Sequence, residues 1–325
     1  MGEAMANKKV IVPETIHPAG PEILRSVAEV VSLPEQLEKP LWDYTAEAHA
    51  IIVRLWKIDR EVLGQSKNLM IVAKHGVGCD NIDIEAATQR KVVVTNTLLD
   101  NAESVAEHDL GLMLAINKKI VEADRSIRLG KPRPRESFDG VELKDKTLGL
   151  IGVGHIGSTL AYQCRAAFNM SVMAYDPYVS KEKAAQMGVT KIEKLDYMLQ
   201  NADYVVICVP LTKETANLIG SRELNLMKPD AFLINSSRGG IVDEQALYDS
   251  LTRGTIAGAA MDVFLKEPPP ADHLLFSLDN FIGTPHVAGS TKEAMKRMAT
   301  TCAEEILRVF RGERPKFPVN PQVFD

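Results

Sequence analysis

The sequence predicts an α/β protein built on two doubly wound, Rossmann-like parallel sheets. Three observations carry this. Short apolar runs such as Ala50 to Arg54 and Tyr204 to Val209 are continuous rather than alternating, as in strands covered on both faces. Helical segments lie between most of these runs, and the alternation occurs twice, once in the first hundred residues and again after Lys146. The second series opens on an apolar run, a glycine-rich turn and a helical stretch in immediate succession.

In chain order, Lys8 to Pro13 reads as a short strand ending at proline, and Pro21 to Val30 as an amphipathic helix. Ala50–Arg54, Leu69–Ala73 and Val92–Asn96 are further buried strands bounded by turn signals. A single long helix is expected from Ala102 to Arg128. Glu103 and Glu107 near its start, and Arg125 and Arg128 at its end, complement the helix dipole. Gly130 stops it, and a Pro- and Arg-rich loop follows. The second series then gives strands at Thr147–Ile151, Ser171–Tyr175, Tyr204–Val209, Ala231–Asn235, Ile256–Asp262 and Phe281–Thr284. A last helix is expected from about Thr291 to Arg311.

Composition narrows the function. The 325 residues suffice for two domains, and 45% hydrophobic with 25% charged content is that of a soluble globular chain. A net charge of -5 argues against a nucleic-acid or anionic-membrane partner, which calls for a basic excess. No run approaches the roughly 20 apolar residues of a membrane span. Met1 to Lys9 lacks the apolar centre of a leader, so a cytoplasmic location is the expectation. The four cysteines form no CxxC pair and read as reduced structural thiols. Cys79, in a glycine-rich turn, is the one to watch.

Gly152, Gly154 and Gly157 form a G-x-G-x-x-G between an apolar strand and the helical stretch Ser158 to Phe168, with His155 and Ile156 inside it. Gly152 permits the tight turn, Gly154 a close approach of backbone to a pyrophosphate, and Gly157 close packing of helix on strand. The next strand ends at Asp176. A carboxylate there accepts from ribose hydroxyls and repels the 2′-phosphate of NADP, so the cofactor expected is NAD.

Arg238, Glu267 and His286 each fall at the C-terminal end of an expected strand or in the loop after it, the edge where open α/β sheets bind ligands. A lone histidine is more often structural, and a lone surface arginine is usually only solvated. A fixed cation, a carboxylate and an imidazole converging on one edge are what carbonyl reduction by hydride requires. No metal is called for.

These motifs together resemble the NAD-dependent D-isomer-specific 2-hydroxyacid dehydrogenases, a group that includes phosphoglycerate, hydroxypyruvate and D-lactate dehydrogenases. The resemblance rests on Gly152–Gly157 with Asp176, on Met227 through Gly240, on Ala260 through Phe264, and on Thr284-Pro285-His286. It implies that Arg238 holds the substrate carboxylate and carbonyl oxygen, that His286 is the acid–base, and that Glu267 hydrogen-bonds His286 and favours its imidazolium. It implies that Asp262 contacts the nicotinamide carboxamide and that Cys208, Val209, Pro210, Ser237 and Ser104 line the cofactor. Lys74 through Asp83 resembles the substrate loop, with the Val77 and Gly78 amides receiving the carboxylate. The bland alternative is an ordinary glycine turn. The implied fold is a cofactor domain, 102–287, inserted into a discontinuous flavodoxin-like substrate domain, 1–101 plus 288–325. The active site would lie in a closing cleft, and two copies would join through the cofactor domains, in part by Ala102–Arg128.

The substrate is harder to read. Arg54 ends a strand where phosphoglycerate-handling relatives carry an arginine, and Lys74 and His75 add positive charge nearby. A second anionic or strongly polar group on the substrate is therefore expected. The alternative is that Arg54 makes a structural ion pair. The chain stops at Asp325, so the regulatory domain of long phosphoglycerate dehydrogenases, and serine feedback through it, are not expected. Glu267 speaks against formate dehydrogenase, which pairs its histidine with glutamine. A phosphite dehydrogenase-like enzyme and an NAD-sensing corepressor-like binding protein both keep the catalytic set and remain as alternatives.

Overall fold

The computed structural model describes residues 7–34 and 36–325, so most of the Met1 to Lys9 stretch lies outside the described residues. Among the described residues, twelve strands form two sheets, and every strand pair within them is parallel. The chain divides into two compact units, Met1–Asn101 with Ser290–Asp325, and Ala102–Gly289.

The first unit holds β1 (Lys9–Val12), β2 (Glu29–Ser32), β3 (Ala50–Val53), β4 (Ile71–Lys74) and β5 (Val93–Thr95), in the order β2-β1-β3-β4-β5. β3, β4 and β5 are buried along their whole length, and apart from Lys74 and Thr95 at the ends of β4 and β5 their residues are apolar. One apolar cluster covers each face. The helix Lys292–Phe310 returns to this unit and packs on the helix Ala19–Arg25 and on β4. The expected helix Pro21–Val30 is shorter. It ends at Arg25, and Glu29–Ser32 instead forms an edge strand in register with Lys9–Val12. Val30 and Val31 favour that extended geometry.

The second unit holds β6 (Thr147–Ile151), β7 (Ser171–Tyr175), β8 (Thr190–Lys191), β9 (Tyr204–Ile207), β10 (Phe232–Asn235), β11 (Gly258–Met261) and β12 (Phe281–Gly283). Their order is β12-β11-β10-β9-β6-β7-β8, which reverses direction between β6 and β9. That reversal is the topological switch point where such sheets open a ligand crevice. The register aligns Tyr175, Ile151, Ile207, Asn235, Met261 and Gly283 in one row. The next residue of each strand therefore reaches the same edge: Asp176, Gly152, Cys208, Ser236, Asp262 and Thr284.

The long helix expected from Ala102 to Arg128 is two helices, Ala102–Asn117 and Ile120–Arg128. They break at Lys119, which is left-handed at φ 51. Asn117 explains the break: its buried side chain donates to Val141 O and accepts from Val141 N, fixing the chain where a continued helix would have to point elsewhere. The chain leaves this unit at Ser290, not at residue 288. Asp262 accepts from the amides of Val287 and Ala288, so these residues stay with the second sheet.

Candidate active site

The glycine turn follows β6 directly. Gly152 has φ +89, and a Cβ there would lie 2.6 Å from Val209 Cγ1 and 2.9 Å from Cys208 O, so the two strand ends meet only over a hydrogen atom. A Cβ on Gly154, by contrast, would meet nothing within 4 Å. This is the open side a pyrophosphate needs. Gly154 caps the helix His155–Phe168 without any side-chain bond, leaving the first amides for an anion. His155 is exposed and Ile156 half-buried at that helix start. Asp176 turns its carboxylate back to this loop, accepting from Val153 N at 3.0 Å and Tyr178 N at 2.9 Å. Cys208 and Val209 are half-buried and Pro210 exposed beyond β9. Burial pushes the Cys208 thiol well up. The residues present fit a dinucleotide.

Arg238 is placed by the turn after β10. Asn235, fully buried, accepts from Ser237 N and donates to Arg238 O. The Ser237 hydroxyl donates to Ile207 O at the end of β9. A Cβ on Gly239 would lie 2.0 Å from Phe264 O, so only glycine lets this turn touch the loop carrying Glu267. That loop is held from outside by Glu244, which accepts from Leu265 N at 2.7 Å and pairs with His273 Nε2 at 3.0 Å.

His286 is left-handed at φ 54, a conformation uncommon for residues other than glycine. Asp262 enforces it. The Asp262 carbonyl accepts from His286 N at 2.7 Å, and its carboxylate accepts from Thr284 Oγ1, Val287 N and Ala288 N. His108 Nε2 lies 3.1 Å from Thr284 Oγ1 and 3.7 Å from Asp262 Oδ1. The His286 ring is 42% exposed, with Nδ1 2.7 Å from Glu267 Oε2. Glu267 Oε1 accepts from Phe264 N. Partial burial pushes the Glu267 carboxyl up. The bonds from His286 and Phe264, with the nearby charges of His286 and Arg238, outweigh this and hold it below the usual range.

Asp262 is 0% exposed and its carboxylate accepts from the His286 turn, so it positions that turn. Two expected contacts need correction. Lys74, 8% exposed, donates from Nζ to Arg54 O and to Asn81 Oδ1. His75 is 2% exposed, with Nε2 3.3 Å from Met295 O. Burial drives its pKa down to about 4, so its ring is neutral and adds no positive potential. Both side chains turn inward from the end of β4. Arg54 follows β3, and its guanidinium donates to Ser290 Oγ at 3.2 Å, a hydroxyl rather than the carboxylate of a structural ion pair. Val77 and Gly78 are half-buried in a loop pinned by Asn96, which donates to Val77 O. Ser104 is buried in the first turn of its helix.

Sequence reasoning gave no role to Thr284, His108 and Glu244. Thr284 gave a signal as part of Thr284-Pro285-His286. His108 and Glu244 act on the site from distant points of the chain.

Residues 110–288 match the family described as D-isomer specific 2-hydroxyacid dehydrogenase, NAD binding domain. D-3-phosphoglycerate dehydrogenase of Archaeoglobus fulgidus is 44% identical over 96% of this chain, which spans only 59% of that relative's length. Glyoxylate reductase of Thermofilum pendens is 39% identical over 98% of this chain and 96% of its own. Among solved structures, a protein of Thermus thermophilus superimposes with a TM-score of 0.88 at 33% identity, covering 96% of this chain and 99% of its own. An NADPH-dependent glyoxylate/hydroxypyruvate reductase of Sinorhizobium meliloti, in complex with NADP and malonate, gives 0.84 at 29% identity, covering 98% of each chain. With its nucleotide-binding turn, its Arg238, Glu267 and His286 loops and these matches along nearly its whole length, the chain belongs to the D-isomer specific 2-hydroxyacid dehydrogenase family.

Proposed function

We propose that this protein interconverts a 2-oxo acid and its D-2-hydroxy acid, with NAD(H) as the hydride carrier. The observation that carries the reading is the Glu267–His286 pair, 2.7 Å apart. It stands on the strand edge that also bears Arg238 and the glycine turn. NADH, when bound, supplies the hydride. His286 gives its proton to the carbonyl oxygen in reduction and takes it back in oxidation. Glu267 holds the ring through Nδ1, leaving Nε2 for the substrate. Arg238 binds the substrate carboxylate and stabilises the negative charge that develops on the oxygen.

Asp176 favours NAD over NADP. Its carboxylate is fixed beside the glycine turn by the Val153 and Tyr178 amides, where a ribose 2′-phosphate would meet like charge. Val77 and Gly78 present backbone amides for a carboxylate, and Arg54 is the candidate for a second acidic or polar group on the substrate. With Lys74 and His75 turned inward, that second interaction depends on Arg54. The partner is a second copy of the chain. Ile120, Val121, Ile127 and Leu129 leave an apolar surface exposed along and just beyond the helix Ile120–Arg128.

The decisive experiment follows NADH oxidation with a panel of 2-oxo acids, including glyoxylate, hydroxypyruvate and its phosphate. Turnover should fall about 10²- to 10⁴-fold in His286→Ala. Absence of turnover on every panel member, with NADH bound, would favour a binding protein instead. Among the described residues no helix is long and apolar enough to cross a membrane.

A further inference from the structure

We propose that Glu244 is a positioning residue for Glu267: its carboxylate ties together the two ends of the loop that carries Glu267, and so fixes that acid against His286. That role rests on the reading of Glu267 and His286 as the acid–imidazole pair of the reaction.

The loop runs from Phe264 to His273. Phe264 is buried, but Leu265 through Pro268 are exposed, so packing does little to set the place of Glu267. Pro268, Pro269 and Pro270 have no amide to donate. Glu267 Oε1 accepts from Phe264 N, a bond made within the loop itself. Glu244 ties the loop to a separate element. One of its oxygens accepts from Leu265 N at 2.7 Å, at the start of the loop. The other lies 3.0 Å from His273 Nε2, at the end of the loop.

Both members of this second acid–imidazole pair are themselves well seated. Glu244 is the first residue of the helix Glu244–Arg253, whose N-terminus favours negative charge. Asp243 caps that helix by accepting from Gln245 N and Ala246 N, and its own amide donates to Ile219 O. The His273 ring meets Phe264 edge-on, 5.4 Å between centroids, and lies 5.2 Å from Phe276. The two side chains are 15% and 10% exposed, so water competes little for the bond between them.

The contacts then run in series from the helix to the catalytic ring: Glu244 to Leu265, Phe264 to Glu267, and Glu267 Oε2 to His286 Nδ1 at 2.7 Å. A loop released from Glu244 still carries Glu267 but no longer holds it in one place. The ring loses a fixed partner, and proton transfer loses its alignment. What the loop requires of residue 244 is an acceptor at this position more than a charge.

Two measurements test this. In Glu244→Ala, hydrogen exchange of residues 264–267 should speed up about tenfold while β9 stays as in wild type. In NADH oxidation with a 2-oxo acid, Glu244→Ala should lower kcat about tenfold and leave the KM for NADH unchanged. In a Glu267→Ala background, where no acid remains to be placed, the same substitution should lower kcat by less than about twofold. Glu244→Gln keeps an acceptor for Leu265 N and should hold kcat within about threefold of wild type. Unchanged exchange in Glu244→Ala, equal losses in the two backgrounds, or a Gln variant as slow as the Ala variant overturns the proposal. His273→Ala frees one end of the loop and serves if Glu244→Ala does not fold. Its loss of kcat should likewise vanish in the Glu267→Ala background, and a loss that persists there overturns the proposal too. The exchange result stands whether or not any 2-oxo acid is reduced, so failure of this inference and failure of the catalytic reading are distinguishable.

Discussion

Glu267 Oε2 lies 2.7 Å from His286 Nδ1, while Glu267 Oε1 is held by the amide of Phe264. Both oxygens of the carboxylate are thus committed, one to the ring and one to the loop that carries it. Glu267→Gln keeps the size and one acceptor but removes the charge that favours imidazolium. Reduction, which starts from the protonated ring, should lose more than oxidation, on the order of tenfold or more in kcat. Steady-state rates in both directions across pH check this, and equal losses in both would count against the assignment.

Asp262 should matter as much as the ring it positions. Asp262→Asn loses a buried acceptor for two amides and replaces it with a group that must turn a donor toward one of them. The expected cost is roughly 2–4 kcal/mol in chemical denaturation. kcat should fall with little change in the KM for NADH, because the glycine turn is built elsewhere. A weakened KM for NADH at unchanged kcat would show that Asp262 serves the cofactor instead.

How much of the fold and site is legible in the sequence depends on where the information lies. Central strands such as Tyr204–Ile207 are legible because both faces are buried and every residue is apolar. The edge strand Glu29–Ser32 is half-exposed, so its sequence carries no such run and reads as the tail of a helix. Arg238, Glu267 and His286 are legible because their chemistry follows strand ends. His108 and Glu244 are not, because they act through neighbours that the fold alone brings near. Lys74 and His75 mislead for a related reason: a charge in a sequence does not say which way its side chain turns, and here both turn inward.

Cofactor choice should follow Asp176. Its carboxylate is fixed by Val153 N and Tyr178 N beside the glycine turn. Asp176→Ser removes the repulsion toward a 2′-phosphate and also a ribose acceptor. The ratio of kcat/KM for NADPH over NADH should rise on the order of tenfold to a hundredfold, mostly through loss with NADH. An unchanged ratio would place discrimination outside this residue.

Arg54 is the test of the substrate's second group. Its guanidinium donates to Ser290 Oγ, so its removal leaves no carboxylate unpaired and should cost little stability. Arg54→Ala should lower kcat/KM on a phosphorylated 2-oxo acid by about 10- to 100-fold more than on glyoxylate. Equal losses on both would sink the idea of a second anionic group held here.

His75 predicts the acid limb of stability. The ring is buried, with Nδ1 unpartnered, and its pKa is lowered to about 4, first by burial and further by the charges of Arg54 and Lys74. The unfolded chain takes up this proton near pH 6.5, while the folded chain refuses it until about pH 4. Across that window the unfolded state binds more protons, so stability rises with pH and falls as pH drops. Integrated over the window, the loss approaches about 3 kcal/mol. His75→Gln cannot titrate, so its stability curve should be flatter between about pH 6.5 and pH 4, whatever its level at neutrality. Urea denaturation of both proteins at several pH values gives the comparison. Parallel curves would mean that His75 is protonated in the fold, and that the inward-turned ring shares its pocket with an acid or a water.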